Sequence, residues 1–201
     1  MSTHDPIRLG DEEKGDKEEG GLSLRALRTR TIFACDQVSD RMYRRIASAL
    51  TLMQADDDKS PITIYVNSPG GSADSGFAIY DILRFIKPPV RTVCNGLCAS
   101  AAVLIYLAAP KERRFCTPYS RFLLHQPSTQ LMGAASDIEI NANEIIRLRE
   151  SYNDIVAQET GKTVEQVTRD ADRDFWLTAS QAIEYGLVGK ITKSCAEMEK
   201  A

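Results

Sequence analysis

The chain has 201 residues, 43% of them hydrophobic, and a formal net charge of −3. That length suits one domain with a full core, no apolar run is long enough to span a bilayer, and the charge leaves no basic footprint for nucleic acid. Cys35, Cys94, Cys98, Cys116 and Cys195 lie mostly in apolar runs without zinc spacing, so buried free thiols in a reducing cytoplasm are expected.

The chain opens on a polar arm. Residues 1–20 carry seven acids against three bases, a net of −4, which leaves +1 for the remainder. Four glycines by Gly21 and few large aliphatics predict a mobile segment that cannot offset its ordering entropy. No secretory leader is read in Met1 to Arg8. The spacing of Met42, Ile46, Leu50 and Met53 predicts a helix from Ser39 to Met53, followed by a loop from Asp56 to Pro61. Ile62 to Val66 reads as a buried strand, and Asn67-Ser-Pro-Gly-Gly71 leads from it into a helix that ends near Phe85. Val90 to Cys94 is a second strand, expected to reach a tight turn at Gly96 before a wholly apolar helix that Pro110 stops. Arg113 to Thr117 and Arg121 to His125 are two further strands about a turn at Pro118. Ser136-Asp-Ile-Glu139 reads as a capping box on a long helix closing at Gly161, with further boxes at Thr163 and Thr178. The last helix stops at Gly186, and Leu187 to Ile191 is a final strand. Strands alternating with helices predict an α/β domain with a largely parallel sheet.

Three stretches could carry chemistry. Ser100 stands alone among apolar residues where the helix before Pro110 begins, so helix N–H groups and dipole would stabilise an oxyanion there. The structural alternative is an ordinary N-cap on a core helix. Gly70-Gly71 lacks the lysine of a phosphate loop and the spacing of a dinucleotide fingerprint, leaving half an oxyanion hole or a simple turn. The chain has two histidines, and His4 lies in the arm. If Ser100 is a nucleophile with an imidazole base, His125 supplies it, at a strand end where sites in open α/β sheets gather. A Ser-Lys dyad with Lys87 or Lys111 is the chemical alternative, although both occupy polar turns unsuited to lowering a lysine pKa. Of Asp170, Asp172 and Asp174, position favours Asp174 as the partner of His125. It precedes the apolar Phe175-Trp-Leu177, expected to turn into the core, while the other two face water.

In order and spacing, Asn67-Ser-Pro-Gly-Gly71, Cys98-Ala-Ser100, Leu123-Leu-His125-Gln-Pro127, Asp137-Ile-Glu-Ile140, Arg173-Asp174 and Ala182 to Val188 resemble the proteolytic subunit of the Clp ATP-dependent protease, a serine endopeptidase. The resemblance runs from about Thr31 to Thr192. It implies an α/β Clp protease/crotonase-like fold of repeated β-β-α units with a protruding handle helix starting near Ser136. The implied organisation is an acidic arm at 1–21, one catalytic domain at 22–195 and a tail at 196–201. The family's triad falls on Ser100, His125 and Asp174, and its oxyanion donors on the N–H groups of Gly71 and Ala101. Its unfoldase-docking groove falls on Tyr65, Phe85 and Phe115, and its ring–ring contact on Arg173. The resemblance further implies two stacked heptameric rings, or mixed rings with a paralogue, and an AAA+ unfoldase partner acting on unfolded proteins. It implies no cofactor, metal, nucleic acid or membrane. Departures from the family are Ala101-Ala102 after the serine, Thr129-Gln130 after His125-Gln-Pro127, and the N-terminal arm. Two other readings stay open: a scaffold Clp subunit that assembles without cutting, and an acyl-CoA-binding crotonase relative.

Overall fold

The computed structural model describes residues 25–127 and 132–198. The acidic arm, His4 and Thr129-Gln130 lie outside them. Seven strands form one sheet: β1 (Thr31–Ala34), β2 (Ile62–Ser68), β3 (Val90–Ala99), β4 (Arg114–Cys116), β5 (Arg121–Leu124), β6 (Phe175–Thr178) and β7 (Lys190–Ile191). The path β1-β2-β3-β4-β7 is parallel throughout. The long strand β3 has two partners on one edge: Thr92 to Cys94 pair with β4, and Leu97 to Ala99 pair with β5. β6 closes that branch antiparallel to β5. Helices cross between the strands, as parallel pairing requires: α1 (Asp40–Asp56), α2 (Ala73–Phe85), α3 (Ala101–Leu107), α4 (Ala135–Thr160), α5 (Val164–Asp170) and α6 (Ala179–Tyr185).

Periodicity explains the elements that the sequence made plain. Met42, Ile46, Leu50 and Met53 are all buried along α1, and Ser39 Oγ accepts from Met42 N at its start. Every residue of α3 is buried, so this apolar helix forms the centre of the core. Gly161 and Gly186 end α4 and α6 in the left-handed conformation that a Cβ disfavours.

Four local expectations change. Gly96 is not a turn: β3 runs through it as a bulge, with Val66 opposite Cys94 and Ser68 opposite Cys98. Its φ of +146° brings the backbone so close to Asn67 that a Cβ would lie 2.5 Å from Oδ1. Ser136 caps nothing, because α4 begins one residue earlier behind Ala134. Thr163 accepts from Gln166 N without a recorded reciprocal bond, whereas Thr178 and Gln181 make the full box. Finally, β1 and β6 are strands that the residue pattern did not announce.

The helix α4 is anchored at one end only. No side chain before Tyr152 is buried, while Tyr152, Asn153, Val156, Ala157 and Thr160 are. Beneath that end, Glu159 pairs with the Arg114 guanidinium and with Arg84 Nη1 at 2.7 Å, and Tyr80 OH donates to it at 3.2 Å. Arg114 Nε and Nη1 also donate to the carbonyls of Ala109 and Glu159. Burial pulls the Arg114 guanidinium below its usual pKa, with Glu159 opposing, and pushes Tyr80 up to about 12.

Candidate active site

The strand registers bring the predicted residues together. Ala99 pairs with Leu123 in parallel, so Ser100 and His125 emerge from the same ends of adjacent strands. Ser100 N donates to Leu123 O at 2.9 Å, tying the two ends. Phe175 lies opposite Leu124 in the antiparallel pair, and stepping that register one residue outward sets Asp174 opposite His125. On the other side of β3, Ser68 pairs with Cys98, so Gly70 falls beside Ser100. Four strands thus bring residues flanking their ends to one place.

Ser100 adopts φ 55° and ψ −128° and makes no side-chain cap bond. Ser100 thus stands at the N-cap position of α3 without its side chain capping the helix. A non-glycine residue held in this region costs about 1–3 kcal/mol, and such strain concentrates at functional sites. Its carbonyl accepts from Val103 N at 2.9 Å and from Tyr152 OH at 3.4 Å. The residues after β2 press against it: a Cβ on Gly70 would lie 2.6 Å from Ser100 Cβ. Gly71, with φ +150°, leaves no room for a Cβ beneath Val38 O. Among the described residues, neither Gly71 N nor Ala101 N has a recorded hydrogen-bond acceptor.

Ser100, Ala101, Gly70, Gly71 and His125 line one cleft of about 600 Å³. His125 Nδ1 stands 3.5 Å from Asp174 Oδ1, with the side chains 30% and 65% exposed. That separation is longer than a well-formed hydrogen bond, and catalytic contacts without substrate are often this loose. The exposure of Asp174 corrects the expectation that its segment buries the carboxylate; the antiparallel register, not burial, carries it to His125. Asp170 does not simply face water, for Tyr185 OH donates to it at 3.0 Å. Asp172 contributes its main-chain carbonyl, which accepts from Gln126 Nε2 at 3.0 Å. Together with Gln126 N donating to Ala171 O, this docks the segment carrying Asp174 onto the end of β5. Lys87 and Lys111 are not among the residues that line the cleft.

Comparison with known proteins decides the family. The family model described as Clp protease matches residues 15–195. The chain belongs to the Clp protease family. It is 45% identical over 190 residues to the ATP-dependent Clp protease proteolytic subunit 2 of Treponema denticola, covering 94% of this chain and 95% of that protein. The proteolytic subunit 3 of Rhizobium etli is 45% identical over 195 residues, with 94% and 100% covered. A mutant of ClpP1 from Listeria monocytogenes superposes with a TM-score of 0.82 at 39% identity, covering 88% of this chain and 99% of that one. The chain is a Clp-type serine peptidase with the Clp protease fold.

Among the residues that the family resemblance named, Tyr65 packs with Phe115, Val93 and Met198 and stacks on Phe33 at 5.6 Å. Phe85 is not in that cluster: it stands 88% exposed at the end of α2, beside Tyr43 and Ile82. Met198 is buried there, so the chain packs on the domain beyond residue 195. Arg173 is exposed and makes no ion pair among the described residues. Two features of the site escaped the sequence: Tyr152 beneath Ser100, and Gln126 joining β5 to the Asp174 segment. The residue after the histidine was a readable signal for the second. Of the thiols expected to be buried, Cys94, Cys98 and Cys116 are, whereas Cys35 and Cys195 are exposed; burial pushes Cys98 up and Cys116 to about 12, while the bond with Cys98 holds Cys94 below its ordinary value.

Proposed function

We propose that Ser100, His125 and Asp174 form the triad of a Clp-type endopeptidase that cleaves unfolded polypeptides. Ser100 Oγ attacks the peptide carbonyl carbon as His125 takes its proton, and Asp174 holds the imidazole in the working orientation. The N–H groups of Gly71 and Ala101 receive the oxyanion, a donor pair of the type worth about 3–4 kcal/mol per bond lost. His125 then gives the proton to the leaving amine, and water repeats the sequence on the acyl-enzyme. The observation that carries this reading is Ser100 held at positive φ in a cleft that it shares with His125. The scaffold-subunit reading loses ground because a subunit that does not cut has no need of a serine, a histidine and an aspartate gathered at one cleft.

In this reading the subunits stack as two heptameric rings, alone or mixed with a paralogue, in the cytoplasm, and an AAA+ unfoldase feeds them. Support comes from α4, whose outer part carries exposed Ile138, Ile140 and Ile146, apolar surface suited to a neighbouring subunit. Arg173 is assigned to the contact between rings. Tyr65, Phe85 and Phe115 are assigned to unfoldase docking, with Phe85 reaching the others across a subunit boundary. The arm at 1–21 is assigned to gating. The test is degradation of an unfolded protein with an AAA+ unfoldase and ATP: Ser100→Ala abolishes it while the chain stays folded. Degradation surviving in Ser100→Ala contradicts the assignment.

A further inference from the structure

The cleft beside Ser100 has an uneven chemistry. Its walls are apolar: Phe77, Leu104, Ile145, Leu148 and Tyr152 face it from α2, α3 and α4. Among the described residues, Asp74 is the one carboxylate that lines it, and no lysine or arginine does. Arg149 on α4 is turned to Gln126 Oε1 at 3.5 Å, and Arg84 is held by Glu159. Asp74 is three residues beyond Gly71, on the wall that carries the proposed oxyanion donor. The cleft thus joins an apolar slot to one acid close to the proposed oxyanion donor.

Building on the triad assignment, we propose that Asp74 makes this cleft selective for lysine or arginine at the residue whose carbonyl Ser100 attacks. Such side chains match the slot: an aliphatic stem covers apolar surface while the cationic head reaches water and a carboxylate. A glutamate in the same place meets like charge, with only the neutral side chains of Gln37 and Ser72 on that wall to donate to it. A norleucine gains the apolar contacts alone. Asp74 also sits in the first turn of α2, where an acid favours the helix dipole. That contribution is blind to the substrate, and so it separates cleanly from selectivity.

The experiment uses the full chain and three serine-directed probes: a small fluorophosphonate, and two peptidyl phosphonates that differ only in an aminobutyl or a butyl side chain beside phosphorus. Labelling rates are read by intact mass. The aminobutyl probe is expected to react faster by about tenfold, the low end of what one pocket contact contributes, because Asp74 is exposed. Asp74→Asn brings the ratio of the two rates towards one, and Asp74→Lys inverts it. Equal rates in the wild type, or a ratio unchanged in Asp74→Asn, overturns the proposal. If the fluorophosphonate labels Ser100 and neither peptidyl probe does, the cleft does not bind the side chain and the proposal fails while the nucleophile stands. If the fluorophosphonate leaves Ser100 untouched, the triad assignment itself fails, and the selectivity resting on it fails too.

Discussion

Replacing Gly70 with alanine tests whether the loop after β2 sets the geometry of Ser100. The added Cβ would lie 2.6 Å from Ala99 O and 2.6 Å from Ser100 Cβ, where ordinary contact begins at 3.4 Å. Two of its three nearest atoms are backbone, so no side-chain rotation relieves the overlap, and the loop and Ser100 must part by most of an ångström. Gly70 also has φ +90°, a region that costs an L-residue about 1–2 kcal/mol. Overpacking adds about 1–3 kcal/mol, for a loss of about 2–5 kcal/mol in all. Misplacing a reacting group by about 1 Å costs on the order of 10²-fold in rate, so reactivity falls even in the fraction that remains folded. Gly161→Ala is the control: φ is +74° there, but nothing lies within 4 Å, so it loses stability without touching the site. Urea titration gives the stability, and fluorophosphonate labelling per folded molecule gives the reactivity. A Gly70→Ala protein that labels within twofold of the wild type refutes this reasoning.

Asp174→Asn should lower turnover by up to about 10⁴-fold, the scale of losing an orienting aspartate. Asp172→Asn keeps its main-chain bond, Asp170→Asn keeps a side-chain oxygen that still accepts from Tyr185 OH, and both stay near wild type, whereas Asp170→Ala loses that bond and costs about 1 kcal/mol of stability. Equal kinetic effects at the three positions contradict the assignment. Glu159→Gln leaves the Arg114 side chain, 1% exposed, as an uncompensated buried charge, and should destabilise by about 3–5 kcal/mol in urea unfolding. A loss below about 1 kcal/mol counts against that network. Burial raises Tyr80, Tyr106, Tyr152 and Tyr185. Above pH about 10 the unfolded chain releases tyrosine protons that the folded chain keeps, so stability should fall as pH rises through the Tyr80 value of about 12. A urea midpoint that holds steady from pH 9 to 12 contradicts it.

The parts of this molecule legible in its sequence are those that depend on local period and on rare residues. Helix α1 declared its buried face through four apolar side chains, and the scarcity of histidine singled out His125. What stayed hidden depends on contacts between distant segments. The ion pair of Arg114 with Glu159 spans 45 positions, and neither residue has a neighbour that announces it. Gly96 read as a turn because a glycine after a strand usually is one; only the close approach of Asn67 makes it a bulge. The short strands β1 and β6 exist because partners already stand beside them, not because four residues prefer to be extended. Asp174 was singled out on the wrong physical ground, since register rather than burial brings it to His125.

The central claim is that Ser100 is a nucleophile activated by His125. Its most direct test is the rate at which a fluorophosphonate adds to the full-length chain, with the modified residue mapped by peptide mass. The account predicts one adduct per chain, on Ser100, absent in Ser100→Ala and slowed by at least about 10²-fold in His125→Ala, the lower range of what a general base contributes. An adduct on any other residue, or a rate on Ser100 indifferent to His125, contradicts it.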